Sequence, residues 1–309
     1  MPVLASSPSG HGSVSTTGLR GIEPTDYGTS RPENDPSPPG RSCSAIVVTM
    51  IAAIVTAGTT ACSGRAILRP YPEPRAEQVV THLESIRQRV TVLRAETVSD
   101  ARVGRERAKV TVFILAAWGG KLRFMAMSPA GGMAADLASD GRTYCYLDAN
   151  ANCGECGDAT AANVAKLIRI ELPPDEVVAM LVGSTPLLDA KNTTLSWDAR
   201  NGHEILSLSD GQLEQRIVLD GREHRWDVLD STMRDQGGRT IWRIRHKNFH
   251  EVTGADGMIV RLPGRSFFEQ EGDSVLIEWK QQEVNIPVGE ERFQLSVPSG
   301  LQPCSQERQ

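Results

Sequence analysis

Apolar residues recur along this chain with two periods, and the change from one to the other lays out its elements. Val79, Leu83, Ile86 and Val90 follow one another at spacings of four, three and four, the stripe of an amphipathic helix. Glu73 and Glu77 sit near its start and Arg87 and Arg89 near its end, as the helix dipole favours. The period then drops to two. Segments 93–100, 109–116, 121–127, 133–139 and 143–148 alternate apolar and polar positions. The turns Trp118-Gly119-Gly120, 128–132 and Asp140-Gly141 punctuate them, which predicts an antiparallel meander.

Two short helices interrupt this pattern. Asp158 or Thr160 caps one that runs to about residue 169, with Val164, Leu167 and Ile168 as its apolar face. Pro173-Pro174-Asp175-Glu176 opens another, which Gly183 closes. Val177, Val178, Met180, Leu181 and Val182 make that helix apolar nearly all round, so it must be buried or must cover something apolar. Strand patterns resume at 194–200, 204–208, 214–220, 224–234, 240–249, 258–262, 266–269, 275–281 and 292–297. Asn201-Gly202, Asp210-Gly211, Asp220-Gly221 and Gly237-Gly238 mark turns between them. The expected fold class is α+β, mainly β: one long, curved antiparallel sheet of sandwich or barrel type, with about three helices packed on one side.

The amino-terminal part departs from both periods. Residues 1–44 are rich in Pro, Gly, Ser and Thr and cannot bury enough surface to offset their ordering entropy, so disorder is expected there. Residues 45–61 form an uncharged apolar run with Arg41 upstream. It is short for a membrane-spanning helix and suits the core of a signal peptide. A leader this long points to a translation start downstream of Met1. A membrane anchor with a disordered tail is the alternative. Thr59-Thr60-Ala61-Cys62 resembles the lipobox of bacterial lipoproteins, with Thr59 where that pattern prefers Leu. Cys62 is thus the expected lipid-attachment residue, followed by a Pro-rich extended tether over 62–74 and a folded domain over 75–303.

Charge and cysteine content narrow the chemistry. A net charge of −5, a pI near 5.8 and 5% aromatic residues provide no basic footprint, so nucleic acid is not expected as a partner. With Cys43 removed and Cys62 lipidated, Cys145, Cys153, Cys156 and Cys304 remain. They suit two disulfides in an oxidising compartment, in any of three connectivities. Cys153-Gly154-Glu155-Cys156 resembles a redox CxxC but sits in a predicted loop without a βαβ unit, and a zinc site from the same cysteines lacks a second CxxC. Asp148-x-Asn150-x-Asn152 begins like a calcium loop, yet Cys153 replaces its Gly and Ala159 its closing Glu. Hydrolase motifs are missing, and His203, His224, His246 and His250 are scattered without partners at telling spacings, so no enzymatic activity, cofactor or metal is expected.

The order of elements, with three local stretches, resembles the LolA/LolB lipoprotein-carrier superfamily, and LolB-like outer-membrane lipoproteins in particular. The stretches are 121–148 (KLRFMAMSPAGGMAADLASDGRTYCYLD), the helix segment ELPPDEVVAMLVGSTP over 171–186, and RLPGRSFFEQ at the head of 261–280. The resemblance implies a half-open β-barrel whose apolar cavity takes the acyl chains of other lipoproteins from a LolA-like periplasmic carrier. Such a protein is a monomer, lipid-anchored at the periplasmic face of the outer membrane, and needs no covalent chemistry. Strand alternation then nominates Val110, Val112, Ile114, Leu122 and Phe124 as cavity lining beneath Met180 and Leu181, with ordinary core as the alternative and the inward face left open. LolB-like proteins carry a protruding Leu in a membrane-inserting turn; here that turn is Pro129-Ala130-Gly131, with Ala130 in its place and Trp118 as a substitute aromatic. The other function that fits is a structural or envelope-assembly lipoprotein with the same fold, binding another apolar ligand or none.

Overall fold

The computed structural model describes residues 66–168 and 170–304; residues 1–65, and with them the signal-peptide and Cys62 expectations, lie outside the described residues. Helix α1 (Ala76–Arg89) precedes a six-strand meander: β1 (Val92–Val103), β2 (Glu106–Ala117), β3 (Lys121–Ser128), β4 (Gly132–Asp140), β5 (Thr143–Asp148) and β6 (Cys153–Asp158). Helices α2 (Ala161–Ile168) and α3 (Pro174–Leu181) follow. Then come β7 (Asn192–Asp198), β8 (His203–Ser209), β9 (Leu213–Asp220), β10 (Asp227–Asp235) and β11 (Thr240–Lys247). A separate hairpin, β12 (His250–Thr253) with β13 (Ile259–Leu262), leads into β14 (Arg265–Gln270) and β15 (Asp273–Val284).

Thirteen strands join in one sheet in the order β6-β5-β4-β3-β2-β1-β15-β14-β11-β10-β9-β8-β7. The chain closes it in the middle: β15 returns to pair with β1, antiparallel, and so stitches the two meanders together. The sheet is open, with β6 and β7 as its edges.

The registers make one face continuous. Leu206 lies opposite Ile217, Ile217 opposite Ser231, and Ser231 opposite Ile244. Ile244 then faces Phe268, Phe268 faces Val275, and Val275 faces Ala101. On the other side Ile114 pairs with Phe124, Phe124 with Leu137, and Leu137 with Tyr146. All of this face is covered. Helix α1 places Val79 and Leu83 on Leu206, Leu208, Ile217 and Leu219, while α3 and Val164 of α2 join the larger core on β1–β5, β11, β14 and β15. Period-two alternation puts these residues of each strand on one face, so their burial follows from the pleat, while Phe113, Leu115 and Met125 fall on the other.

Three sequence expectations differ from this arrangement. Segment 292–297 forms no strand: Glu290–Phe293 is a 3-10 turn, and the chain beyond it crosses toward β6. Phe293, Leu295 and Val297 do alternate in burial, but β15 already has β1 and β14 as neighbours, leaving no edge to pair with. The Cys153-Gly154-Glu155-Cys156 stretch is strand β6, not a loop. Its β propensity is poor, and covalent bonds hold it: Cys145–Cys156 joins directly opposed residues of β5 and β6, and Cys153–Cys304 ties the carboxy-terminal strap to the same edge. Residues three apart on a strand face opposite sides, which is why Cys153 and Cys156 bond elsewhere and not to each other. Finally, the segment expected as a tether over 62–74 is anchored where Ile67, Arg69 and Tyr71 touch the sheet, though Leu68, Pro70, Pro72 and Glu73 stay exposed.

Candidate functional site

Helix α3 and the floor beneath it form the candidate site. The helix starts here because Pro173 and Pro174 stop the preceding extended segment and initiate the first turn, with Asp175 and Glu176 in it. Val177 to Leu181 are all buried, and Gly183, at φ +81°, ends the helix. A Cβ at Gly183 would lie 2.6 Å from Pro263 Cδ and 3.3 Å from the Phe249 ring. Gly183→Ala combines a left-handed backbone with that collision. It is expected to cost roughly 2–4 kcal/mol in urea unfolding, against nearly nothing for a surface Gly→Ala.

The two ends of α3 are held differently. At its start, Asp175 Oδ1 accepts hydrogen bonds from the backbone N–H groups of Gly119 (2.9 Å) and Gly120 (2.7 Å), and Arg87 pairs with Glu176 at 3.5 Å. Burial raises the Glu176 carboxyl above the ordinary Glu range, with Arg87 opposing. These are surface contacts on one turn and one helix.

Past its end, segment 184–188 is pinned from below by buried polar side chains of β9, β10, β11 and β14. The Gln215 amide donates to Pro186 O (2.6 Å) and to Ser231 Oγ (3.0 Å), and its carbonyl accepts from Leu188 N (2.8 Å). Thr185 Oγ1 donates to Ser231 Oγ at 2.8 Å. His246 Nε2 lies 3.0 Å from Ser184 O, a group that only accepts, so the proton is assigned to Nε2. Its Nδ1 then accepts from Ser266 Oγ at 2.9 Å, and Ser266 in turn accepts from Trp279 Nε1 at 2.9 Å. Complete burial lowers the His246 pKa to about 4, so the ring is neutral at pH 7. The segment after α3 is thus held by several buried hydrogen bonds, although Ser184 Oγ itself finds no partner, whereas the start of the helix is held by the Asp175 and Glu176 contacts.

Between helix and sheet lies an apolar cavity of about 80 Å³. Val110, Val112, Ile114, Phe124, Met180 and Leu181 all line it, joined by Ala126, the next residue on that face of β3, and by Val177, Phe268 and Ile277, which alternation on β2 and β3 alone does not nominate. Leu122 does not line it: that residue is fully buried in the core one pleat further along β3. Phe268 and Ile277 come from β14 and β15, strands far away in sequence, and only the β1–β15 pairing brings them in. A drug-sized ligand needs roughly 300–1,000 Å³, so the cavity as it stands is too small for one.

The other nominated residues sit elsewhere. Pro129, Ala130 and Gly131 make the exposed β3–β4 turn. Trp118 is half-buried and docked: its indole N–H donates to Val90 O at 2.7 Å, and the Arg87 guanidinium stacks on its ring. It is no projecting aromatic, because the Asp175 clasp and Val90 hold its turn down. The four cysteines form Cys145–Cys156 and Cys153–Cys304, which removes them as zinc ligands or as a redox CxxC pair. The calcium-like loop is an Asx turn, with Asp148 Oδ1 accepting from Asn150 N and Ala151 N, both at 2.9 Å.

A larger hollow, of about 820 Å³, lies on the opposite face of the sheet. Phe113, Leu115 and Met125 floor it, and the strap residues Pro287, Val288 and Arg292 wall it. Charged side chains including the Arg94–Glu283 pair rim it, so the apolar space under α3 is the better ligand site despite its size.

No protein-family profile and no curated protein matches the chain. Among solved structures it is similar to a LolA superfamily protein from Nitrosomonas europaea. That likeness has 11% identity over 72% of this chain and 99% of the other, with a TM-score of 0.48. It is also similar to a DUF1329 family protein from Desulfovibrio piger (12% identity, 72% and 98% covered, TM-score 0.47). A third is a putative outer membrane lipoprotein-sorting protein domain from Vibrio parahaemolyticus (10% identity, 71% and 97% covered, TM-score 0.43). The architecture of this chain rests on its own strand order and registers. Among the described residues no helix is long and apolar enough to cross a membrane.

Proposed function

We propose that this protein is a LolB-like lipoprotein of the bacterial envelope, anchored through lipid on Cys62 at the periplasmic face of the outer membrane. In this reading it takes acyl chains of other lipoproteins from a soluble periplasmic carrier, holds them beneath α3, and passes them to the membrane. The carrying observation is the convergence of Val110, Val112, Ile114, Phe124, Met180 and Leu181 on one apolar space under a helix whose following segment is pinned and whose start is held by Asp175 and Glu176. Opening swings α3 about segment 184–188 and breaks the Asp175 and Arg87 contacts. Each methylene then buried contributes about 0.8 kcal/mol, offset by the cost of exposing the underside of α3. Binding and release involve no bond making or breaking. With Ala130 in the β3–β4 turn, unloading depends on some group other than a protruding leucine.

Native mass spectrometry with a synthetic triacylated lipopeptide tests this. The protein is expected to bind one lipopeptide, and Ala126→Leu, which fills the cavity while keeping it apolar, is expected to weaken binding at least about tenfold, or about 1.4 kcal/mol, at unchanged melting temperature. The closed cavity of about 80 Å³ favours a second reading, a structural envelope lipoprotein whose α3 never opens. Absence of any bound lipopeptide would establish it over the first.

A further inference from the structure

The segment before α1 has the composition of a free spacer, yet it is built into one end of the sheet. Ile67 N donates to Ala199 O at 2.7 Å, just past β7, and Trp197 Nε1 donates back to Ile67 O at 2.8 Å. The Ile67 side chain lies on Gly202, in the β7–β8 turn. Arg69 pairs with the fully buried Glu204 at 2.8 Å and stacks on Trp197. The Tyr71 ring packs between Trp197 and Trp226, 6.2 and 6.1 Å between centroids. Ile67, Arg69 and Tyr71 are thus each held against the sheet.

Where the chain enters this end, Ile67 is 45% and Leu68 84% exposed, two adjacent members of the five large apolar residues exposed among those described. Several charges around them are spent on one another, Arg69 with Glu204, Arg222 with Asp220 and Arg225 with Glu223, while Arg200 stands exposed in the β7–β8 turn itself. From Cys62 to Ile67 is five residues, a span of at most about 17 Å even fully extended.

We propose that the β7–β8 turn end of the sheet, with Ile67 and Leu68 at its tip, rests on the phospholipid surface of the membrane. This rests on the reading of Cys62 as the lipidated residue. A lipid there leaves the docked Ile67 no more than about 17 Å from the bilayer, whatever path the intervening residues take. The first apolar side chain presented at that distance is Leu68. One leucine does not hold a protein on a membrane; the lipid does that, and Leu68 with Ile67 sets which end faces down. The apolar tip makes contact without anionic lipid, and the exposed Arg200 of the same turn strengthens it where anionic lipid is present. The β8–β9 turn lies at the other end of β8, seven residues or about 23 Å away, and points into water.

The full chain, extracted from membranes and reconstituted in phosphatidylcholine vesicles, provides the test. A nitroxide is attached at Leu68→Cys or, as comparison, at Gln212→Cys, with the parent chain as the labelling blank. Both sites are exposed, so neither change disturbs packing. At position 68 oxygen is expected to relax the label more than a water-soluble nickel chelate does, with the order reversed at 212. Mass spectrometry of the amino-terminal peptide reads the lipid on Cys62 separately. Lipid on Cys62 with a water-like label at 68 overturns this orientation and leaves the carrier reading intact. A label at 68 shielded from both relaxants means that protein covers it, and also overturns the orientation. An unmodified Cys62 removes the anchoring and the orientation together.

Discussion

Replacing Cys153 and Cys304 together by Ser is expected to lower the stability of the oxidised protein by about 3–5 kcal/mol, the upper figure being the chain-entropy value for so long a loop. The bond spans 151 residues of sequence, so it restricts the unfolded chain far more than Cys145–Cys156, which spans 11 and is expected to contribute about 3 kcal/mol at most. The long bond also fixes the end of the strap. Without it the strap keeps the burial of Phe293, the Lys121–Glu290 pair at 2.7 Å and the bond from Arg123 to Arg292 O at 3.2 Å. It loses its hold on β6, where Gly154 N donates to Gln302 O at 3.0 Å. Urea unfolding should therefore show the larger loss for the Cys153/Cys304 variant, and limited proteolysis should cut that variant first beyond residue 293. Equal losses for the two disulfide variants would overturn this account.

Acidification supplies the second large effect. His246 titrates at about 4 in the folded protein and near 6.5 when unfolded. Between those values the unfolded chain holds the extra proton, so stability rises with pH. The contribution is fully present above about pH 6.5 and is lost as pH falls toward 4, amounting to about 3 kcal/mol. His82, also lowered by burial, acts in the same direction, and the hydrogen-bonded carboxylates Asp140 and Asp198 lose their contribution at lower pH still. Comparison with His246→Gln isolates the histidine: the variant starts less stable at pH 7 and should show a shallower decline between pH 6.5 and 4.5. The same slope in both proteins would remove His246 as the source. Because His246 holds the root of α3, acid should loosen the lid before it unfolds the sheet, visible as faster hydrogen exchange of residues 184–188.

Much of the candidate site is legible in the amino-acid sequence. Alternation on β2 and β3 places Val110, Val112, Ile114 and Phe124 on one face, and the all-round apolarity of 177–182 marks α3 as a covering helix, because period and composition are local properties of the chain. Leu122 shares the alternation, but lining depends on where α3 stops along the strand, which the pattern does not contain. His246 reads like any strand histidine; its role arises only where β11, β14 and the end of α3 meet around it. Trp118 reads as exposed because it sits in a turn, and the Asp175 clasp that holds this turn down comes from another element.

What the sequence determined by itself was most of the strands and helices, which residues of each strand share a face and the even set of cysteines, since each follows from spacing along a few residues. Tertiary structure decided the rest. It joined β15 to β1, chose one of three disulfide pairings, turned a Cys-Gly-rich stretch into an edge strand, docked the supposed tether and left about 80 Å³ beneath the lid. Each of these is a contact between segments far apart in sequence. Such contacts depend on which surfaces the other elements leave free, and no local pattern carries that information.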